Sequence, residues 1–307
     1  MIFKNIEDAK QRLESNGYIC SKTVSTVAFL AGETQKPILV EGPAGVGKTE
    51  LSKAIARSLG RELIRLQCYE GLDEARALYE WEYAKQLLYT QMVKDKIDDV
   101  IAGANNLSEA VDKIADQEDA FFSERFIQPR PLLQAISSEE PVVLLIDEVD
   151  KSDPEFEAFL LEILSDFQVT IPEIGTKKAV KIPYVILTSN NYRDMSDALK
   201  RRCIHLYIDY PDTDLELKIV KSKIPGIDAR LAQQVINSIH EIRKLDLKKK
   251  PCTSETLDWV QSLISLQVNE LSSEIIIDTL NMICKYRSDA DLVRQNINEI
   301  SQNSGLR

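Results

Sequence analysis

The segment at residues 38–49, ILVEGPAGVGKT, constrains the fold of this chain more than any other stretch. Ile38 to Glu41 predict a buried strand, a loop follows from Gly42 to Gly47, and a helix begins at Lys48 and Thr49. Glycines let backbone N–H groups turn inward around a phosphate, and the positive end of the helix dipole points to the same place. The pattern G-x-x-x-x-G-K-[ST] in a strand–loop–helix context therefore predicts a nucleotide-binding site.

Specific contacts are expected from this loop. Lys48 would reach the β- and γ-phosphates of ATP, and the Thr49 hydroxyl would ligate Mg²⁺. The alternative, a glycine-rich turn before an ordinary helix, matches the four fixed positions by chance in roughly one chain in a hundred of this length. The residues expected to contact the nucleotide are Gly42, Pro43, Ala44, Gly45, Val46, Gly47, Lys48, Thr49 and Glu50.

A second signal is the stretch VVLLIDEVDKSD at residues 142–153. Its five consecutive apolar residues predict a strand buried on both faces of a parallel sheet. The strand ends in Asp147 and Glu148, which would lie beside the phosphate loop. Asp147 is expected to hold Mg²⁺ with Thr49, and Glu148 is expected to orient or deprotonate the attacking water.

Polar residues after the next strands extend this set. The strand VILTSNN (185–191) places Asn190 at the same sheet edge, where its amide could hold the lytic water or the γ-phosphate. The alternative is an asparagine that caps a turn. The helix DMSDALKRRC (194–203) ends with Arg201 and Arg202, which are either catalytic or part of a surface salt bridge.

Two helices are predicted between residues 5 and 32, with Gly17 separating them. Tyr18 and Ile19 lie between these helices, ahead of the phosphate loop in sequence. In many nucleotide-binding domains the base is held at this place, so both residues are candidates for contact with the base. The alternative is plain packing of one helix against the other.

Strands alternate with helices up to residue 209, which predicts an α/β domain with a parallel sheet and helices on both faces at 1–209. From 210 to 307 the pattern is helical throughout. An insertion of about 69–125 follows the second strand, and its first part, 69–96, has helical periodicity. A β-hairpin is expected at about 168–184, with a turn from Glu173 to Lys178.

Two further stretches belong to this part of the chain. Residues 97–120 are predicted to form an acidic helix with a solvated face. The stretch FIQPRPLLQAI (126–136) is predicted to be a loop that enters a helix.

Composition excludes several classes of function. The net charge of −11, from 38 basic and 49 acidic side chains, makes nucleic acid an improbable partner. Five widely spaced cysteines and two histidines do not form a zinc pattern. The first residues predict an amphipathic helix and not a signal peptide, and no apolar run is long enough to insert into a membrane. A cytoplasmic protein is expected.

The phosphate loop, the Asp–Glu pair, the asparagine and the arginine pair, in this order and followed by a small helical domain, resemble the AAA+ ATPases. In that resemblance Gly42 to Thr49 match Walker A, and Asp147 and Glu148 match Walker B. Asn190 matches sensor 1, and Arg202, with Arg201 as the alternative, matches the arginine finger. The resemblance implies a five-stranded parallel P-loop sheet followed by an all-α lid, and a ring of identical subunits, usually six.

Within AAA+, the insertion and the hairpin resemble the MoxR family. The stretches RLQCYEGLDEARALYEWEYAKQLLY, DFQVTIPE and LTSNNYRDMSDALKRRC look most like its CoxD-type members. This resemblance implies an ATP-driven chaperone that completes the metal site of a molybdenum hydroxylase such as carbon monoxide dehydrogenase. It also implies a partner with a von Willebrand factor A domain.

One departure concerns the lid. AAA+ proteins commonly carry a sensor 2 arginine there, but TSETLDW (253–259) has none. Either the lid is only weakly coupled to the γ-phosphate, or another residue such as Arg230 or Arg243 replaces the arginine. Three alternatives to a remodelling ATPase stay open, and the missing arginine bears on the last of them. They are a small-molecule phosphotransferase, a nucleic-acid motor, and a nucleotide-gated scaffold with little hydrolysis.

Overall fold

The computed structural model describes residues 2–92, 123–172 and 174–306. Its centre is a five-stranded parallel sheet in the order β2-β5-β8-β1-β9. The strands of this sheet are β1 (Ile38–Glu41), β2 (Leu63–Gln67), β5 (Val143–Asp147), β8 (Tyr184–Ser189) and β9 (Ile204–Tyr207). A parallel sheet of this size followed by helices is the predicted fold class, which is confirmed.

The three central strands are buried on both faces because every residue in them is covered. Alternate side chains enter two separate cores. Ile38 and Val40 pack with the helices on one face, whereas Leu39 packs with those on the other. This explains why the strands have continuous apolar runs in the sequence.

The helices of the α/β part cover these two faces. One face is covered by α1 (Ile6–Ser15), α2 (Lys22–Thr34) and α3 (Lys48–Leu59). The helices that follow are α4 (Glu74–Leu78), α5 (Tyr83–Met92), α6 (Pro131–Ser137), α7 (Pro154–Asp166) and α8 (Asp197–Arg202). Of these, α4, α6, α7 and α8 contribute to the core on the opposite face.

The sequence predicted helical periodicity over residues 69–96, but residues 69–92 do not form one continuous helix. A short strand, β3 (Tyr79–Trp81), separates α4 from α5 and pairs antiparallel with β4 (Ile127–Pro129). β4 lies in a stretch that was predicted to be a loop. The pairing is stabilised by tertiary contacts, since the Trp81 ring packs 6.2 Å from the ring of Phe126. The acidic stretch 97–120 lies outside the described residues.

The hairpin consists of β6 (Gln168–Ile171) and β7 (Gly175–Lys178) in antiparallel register. Val169 and Ile171 are buried and Thr170 between them is exposed, so one face of the hairpin packs on the domain. Its second arm begins at Gly175, inside the segment that was expected to turn.

The remaining helices form a second group with a core of its own around Trp259. They are α9 (Thr213–Lys223), α10 (Ala229–Lys244), α11 (Thr253–Ser265), α12 (Ser273–Ile283), α13 (Arg287–Gln295) and α14 (Ile297–Asn303). The buried Trp259 indole donates to the Thr279 hydroxyl at 2.8 Å. None of the helices in the described part of the chain has the length and apolar character needed to cross a membrane.

Candidate active site

The phosphate loop runs from the end of β1 to the start of α3, and its glycines are required by close contacts. At Gly42, where φ is 149°, an added Cβ would lie 1.9 Å from the carbonyl oxygen of Ile208. At Gly45, where φ is 76°, it would lie 2.2 Å from the sulfur of Cys252. The loop can therefore take this tight path only without side chains at these two positions.

Lys48 is buried in the first turn of α3. Its ammonium donates to the carbonyl oxygens of Gly42 at 2.7 Å and Pro43 at 2.6 Å, so it lies over the loop. Burial lowers the pKa of Lys48 to about 8, against the opposite effect of nearby carboxylates, of which Asp150 is the strongest. A phosphate at the loop would supply the strong negative acceptor that this partly desolvated cation lacks.

Asp147 ends β5 directly beside Thr49, as the sequence predicted. Its Oδ1 accepts from the hydroxyls of Thr49 at 3.1 Å and Thr188 at 2.5 Å. Its Oδ2 accepts from the guanidinium of Arg65, through Nε at 3.0 Å and Nη2 at 2.5 Å. A hydroxyl and a carboxylate that face each other are hard oxygen ligands of the kind Mg²⁺ prefers, so the residues present fit this ion.

Glu148 and Asn190 are also brought together. The Asn190 amide nitrogen donates to Oε1 of Glu148 at 3.1 Å. Oε2 accepts from the Gln67 amide at 2.8 Å and from the Lys151 ammonium at 2.7 Å. Glu148 has a left-handed backbone with φ of 57°, which is uncommon for a residue with a side chain.

Asp150 holds the turn that carries Asn190. Its Oδ2 accepts from the backbone N–H of Asn190 at 3.0 Å and of Tyr192 at 2.9 Å. Its other oxygen is buried and has no hydrogen-bond partner among the described residues. Asp150 therefore fixes the position of Asn190 relative to Glu148.

Five residues of this network were not identified from the sequence: Arg65, Gln67, Asp150, Lys151 and Thr188. A usable signal existed for Gln67, which ends β2. Since the carboxyl ends of parallel strands meet at one sheet edge, Gln67 pairs in register with Asp147. Arg65 has the same outward direction two residues earlier.

A cavity of about 560 Å³ adjoins the phosphate loop. Tyr18 and Ile19, expected to contact the base, line it, as do Gly45, Val46 and Gly47 of the loop. The opposite wall comes from residues 206–212, from α9 and from the start of α11. The cavity therefore lies between the sheet edge and the helical group, where a base could be enclosed.

Glu50 lines this cavity and Ala44 does not, although both were expected to contact the nucleotide. The Glu50 carboxylate accepts from Arg57 at 2.8 Å and lies 3.6 Å from the ammonium of Lys223 on α9. Burial would raise the pKa of Glu50, but Arg57 and Lys223 outweigh it and hold the pKa below its ordinary value. Glu50 thus links α3 to the helical group, and Ala44 is exposed on the outer side of the loop.

Arg201 and Arg202 lie at the end of α8 and both are exposed. Arg202 donates through Nε to the Ser165 hydroxyl at 2.6 Å. Within the described ranges, neither arginine forms a hydrogen bond or ion pair with the phosphate loop, Asp147 or Glu148. Both arginine side chains therefore lie on the surface, away from the phosphate loop of their own chain.

The two suggested replacements for a sensor 2 arginine are engaged elsewhere. Arg243 is buried in an ion pair with Glu216, and Arg230 pairs with Glu270 on the surface. The lid instead contacts the loop through Ser254, whose N–H and hydroxyl both donate to the Gly45 carbonyl at 3.3 Å. The suggestion of Arg230 or Arg243 is therefore wrong for this arrangement, because both side chains have partners away from the loop.

A family model described as the AAA domain of the dynein-related subfamily matches residues 37–203. The chain belongs to this AAA family. The enzyme class predicted from the motifs, an ATPase of the AAA+ kind, is thereby confirmed. The matched range contains four of the five strands of the sheet, β1, β2, β5 and β8, and it ends at Cys203, just before β9.

Several curated proteins are similar to this AAA+ chain. The gas vesicle ATPase GvpN of Haloferax mediterranei is 24% identical over 68% of this chain and 57% of its own length. The gas vesicle ATPase GvpN1 of Halobacterium salinarum is 23% identical over 85% of this chain and 72% of its own length. An uncharacterised protein of Staphylococcus haemolyticus is 25% identical over 82% of this chain. The chain thus spans less than two thirds of the first of these relatives.

Among solved structures, a point mutant of RuvB from Thermotoga maritima superimposes with a TM-score of 0.51. The superposition covers 100% of this chain and 87% of that protein, at 13% sequence identity. At this identity the likeness concerns the fold, and it extends over both the sheet and the helical group.

Proposed function

We propose that this protein hydrolyses ATP as one subunit of a ring of identical chains and uses the resulting motion to remodel a client protein. One observation carries the proposal. The carboxyl edge of the sheet joins Thr49 and Asp147 to Glu148 and Asn190 in one hydrogen-bond network, through Arg65 and Gln67. This network lies beside the loop that Lys48 contacts and near a cavity large enough for a nucleotide. Phosphoryl transfer needs mainly positioning and charge stabilisation, which these residues can supply.

Each residue has a proposed role. The loop amides and Lys48 bind the phosphates, Thr49 and Asp147 hold Mg²⁺, and Tyr18 and Ile19 contact the base. Bound Mg²⁺ would neutralise charge on the phosphate oxygens. Glu148 would take the proton of the attacking water, and Asn190, which already donates to Glu148, would keep that carboxylate directed at the water.

The ring is proposed because the arginines face away from their own site. Arg202, with Arg201 as the alternative, would reach the ATP bound by a neighbouring subunit, and six subunits are the usual number in the family it resembles. A guanidinium there stabilises charge spread over the γ-phosphoryl oxygens. We further propose that the α/β domain ends near residue 209 and that 210–307 is a lid that moves with nucleotide state.

The client is proposed to contact the insertion and the hairpin. Helix α5 in the insertion exposes large apolar side chains, which suit a surface that grips another protein: Tyr83, Leu87, Leu88, Tyr89 and Met92. The likeness to CoxD-type MoxR proteins supports a cytoplasmic molybdenum hydroxylase as the client, with a von Willebrand factor A protein as a partner. The names of the similar curated proteins support a second candidate, a role in gas vesicle formation.

Two other functions would require different features of this site. A small-molecule phosphotransferase would need an acceptor, whereas this site presents Glu148 to water. Phosphate release without any added acceptor therefore separates the two. A nucleotide-gated scaffold with little hydrolysis is favoured by one observation, the engagement of both candidate lid arginines elsewhere.

The decisive experiment uses Glu148→Gln in the full chain. We expect turnover to fall by about 10²- to 10⁴-fold, because the general base is lost. ATP affinity should stay unchanged, since Glu148 does not line the phosphate loop. Glu155→Gln, at an exposed position on α7, is the matched control and should hydrolyse ATP normally.

The same variant can identify the client. With ATP bound and not hydrolysed, the ring should retain what it acts on during affinity capture. Recovery of a molybdenum enzyme with a von Willebrand A protein supports the first client, and recovery of a gas vesicle protein supports the second. Normal turnover by Glu148→Gln would contradict the proposed chemistry itself.

A further inference from the structure

Arg65 ties the proposed metal carboxylate to the rest of the active-site network. It lies on β2, next to β5, and contacts Oδ2 of Asp147 through two guanidinium nitrogens. Over residues 2–92, 123–172 and 174–306, it is the only cation within ion-pair distance of that carboxylate. Neither the nucleotide-binding motifs nor the family resemblance assigns a role to Arg65.

Asp147 needs such a partner because its side chain is only 3% exposed. A buried carboxylate is costly unless it is paired and hydrogen-bonded. Two hydroxyls satisfy Oδ1, but they carry no charge. Lys48, the nearest cation of the loop, donates to loop carbonyls instead. Arg65 therefore supplies the compensating charge.

Arg65 and Mg²⁺ would compete for Oδ2 of Asp147. Oδ1 already accepts from the buried Thr188 hydroxyl at 2.5 Å, and the Thr49 hydroxyl lies 3.3 Å from Oδ2, the oxygen that Arg65 contacts. Mg²⁺ demands a compact octahedral shell of oxygens at about 2.0–2.1 Å. The Arg65 Nη2 atom, 2.5 Å from Oδ2, fills the space on that side of Asp147. Two positive charges at such a separation repel each other.

The two partners differ in their freedom to move. Asp147 and Thr49 are fixed at the end of a buried strand and in the first turn of a helix. The Arg65 side chain is 49% exposed, so its guanidinium can swing into solvent. We propose that Arg65 is the resident counter-ion of Asp147 and must leave Oδ2 before the site accepts Mg²⁺ with a nucleotide.

The departure of Arg65 from Asp147 would also change the contacts of Glu148. Arg65 Nη2 donates a short hydrogen bond to the Gln67 carbonyl oxygen, and the Gln67 amide nitrogen donates to Glu148. When Arg65 leaves, the Gln67 side chain loses the donor that orients its amide. The arrival of the metal and the release of Glu148 are thereby joined through one arginine. Arg65 is a positioning residue in this scheme, because it acts through Asp147 and Gln67.

The inference rests on the proposed ATPase function, and its test measures metal binding directly. Mn²⁺, which has an electron spin resonance signal, is titrated into the full chain with saturating ADP. We expect Arg65→Gln to bind Mn²⁺ roughly fivefold more tightly than the wild type, because a half-exposed ion pair no longer competes. Arg76→Gln removes an arginine that pairs with Asp73 on the surface, and it should bind Mn²⁺ like the wild type.

A second variant covers the case in which Arg65→Gln does not fold. Arg65→Lys keeps the charge but loses the two-pronged contact, so its Mn²⁺ affinity should lie between those of the wild type and Arg65→Gln. Equal or weaker Mn²⁺ binding by either folded variant overturns the inference and leaves the ATPase proposal standing. If the wild type binds neither ADP nor Mn²⁺ with ADP, both proposals fall.

Discussion

Two buried carboxylates organise two polar networks in this molecule, and the networks differ in how they reach the solvent. Glu216 is fully buried in the helical group, and its main partner Arg243 is 8% exposed. Arg243 contacts both Glu216 oxygens, at 2.6 and 2.8 Å, and Thr256 adds a hydrogen bond from α11. Asp147 is equally buried, but the cations around it and Glu148 are about half exposed, at 49% for Arg65 and 48% for Lys151.

The difference indicates that the Glu216 network stabilises the fold, whereas the Asp147 network is suited to the exchange of its partners. Around Glu216 every strong partner comes from within the fold, so the charges hold α9, α10 and α11 together. Around Asp147 the partners can leave without unfolding anything, because their charged ends already touch water. The proposed exchange of partners for Mg²⁺, ATP and an arginine of a neighbouring subunit would need this second arrangement.

The largest expected effect tests whether an arginine of a neighbouring subunit completes the network around Asp147 and Glu148. Arg202→Ala should lower turnover by about 10³-fold or more, because the transition-state charge loses its guanidinium. Nucleotide affinity should be unchanged. The measurement is steady-state ATP hydrolysis, with Arg287→Ala, which removes an arginine that is almost fully exposed, as the control.

Mixing two inactive variants provides the sharper form of this test. Lys48→Ala lacks a usable phosphate loop but retains Arg202, so mixed rings with Arg202→Ala should regain part of the activity. If Arg202 acted within its own chain, no mixture of the two variants would hydrolyse ATP.

The next largest effect concerns the buried network around Glu216. Arg243→Ala should lower the free energy of unfolding by about 3 kcal/mol, because the buried Glu216 charge loses its bidentate arginine and retains only the hydrogen bonds of His240 and Thr256. Urea unfolding measures this. Arg230→Ala removes a surface ion pair and should cost less than about 1 kcal/mol. Equal losses in the two variants would show that burial does not distinguish these pairs.

The smallest effect is the pH dependence of the same network. Burial alone would raise the pKa of Glu216, but hydrogen bonds from His240 and Arg243, and the charge of Arg243, outweigh it and hold the pKa below its ordinary value. Such a carboxylate contributes stability above its unfolded pKa, about 4.3, and this contribution is lost as the pH falls through the lower folded pKa.

Glu216→Gln, which cannot ionise, should therefore lose less stability on acidification than the wild type. Urea midpoints measured from about pH 5 downward give the two slopes, and the comparison of slopes removes any constant cost of the substitution. Parallel slopes would mean that Glu216 does not carry the acid sensitivity.

The loop and the Asp–Glu pair could be predicted because their chemistry requires particular residues at adjacent positions. Asn190 could be placed because strand order puts it at the same edge. Gln67 could have been placed at this edge for the same reason. Arg65 looks like an ordinary residue of a short strand, and only the pairing of β2 with β5 reveals the contacts of both residues with their partners. Their role depends on which strand lies beside which, and local sequence does not contain that information.

The same limit applies to the insertion. The spacing of its aromatic residues suited a helix, yet Tyr79 to Trp81 form a strand. The reason is a partner, β4, that lies far away in sequence and buries Ile127. Three-residue strands have almost no intrinsic preference of their own, so tertiary contacts decide them. In the lid, a missing arginine could be noticed, but not that Ser254 contacts the loop.

The contact of Cys252 with Gly45 places a thiol between the two halves of the molecule. The sulfur occupies the room that a side chain at position 45 would need, and it is hidden only while the beginning of α11 rests against the loop. A movement of the helical group away from the loop would expose this sulfur. The reactivity of the thiol at position 252 would therefore report whether such a movement occurs.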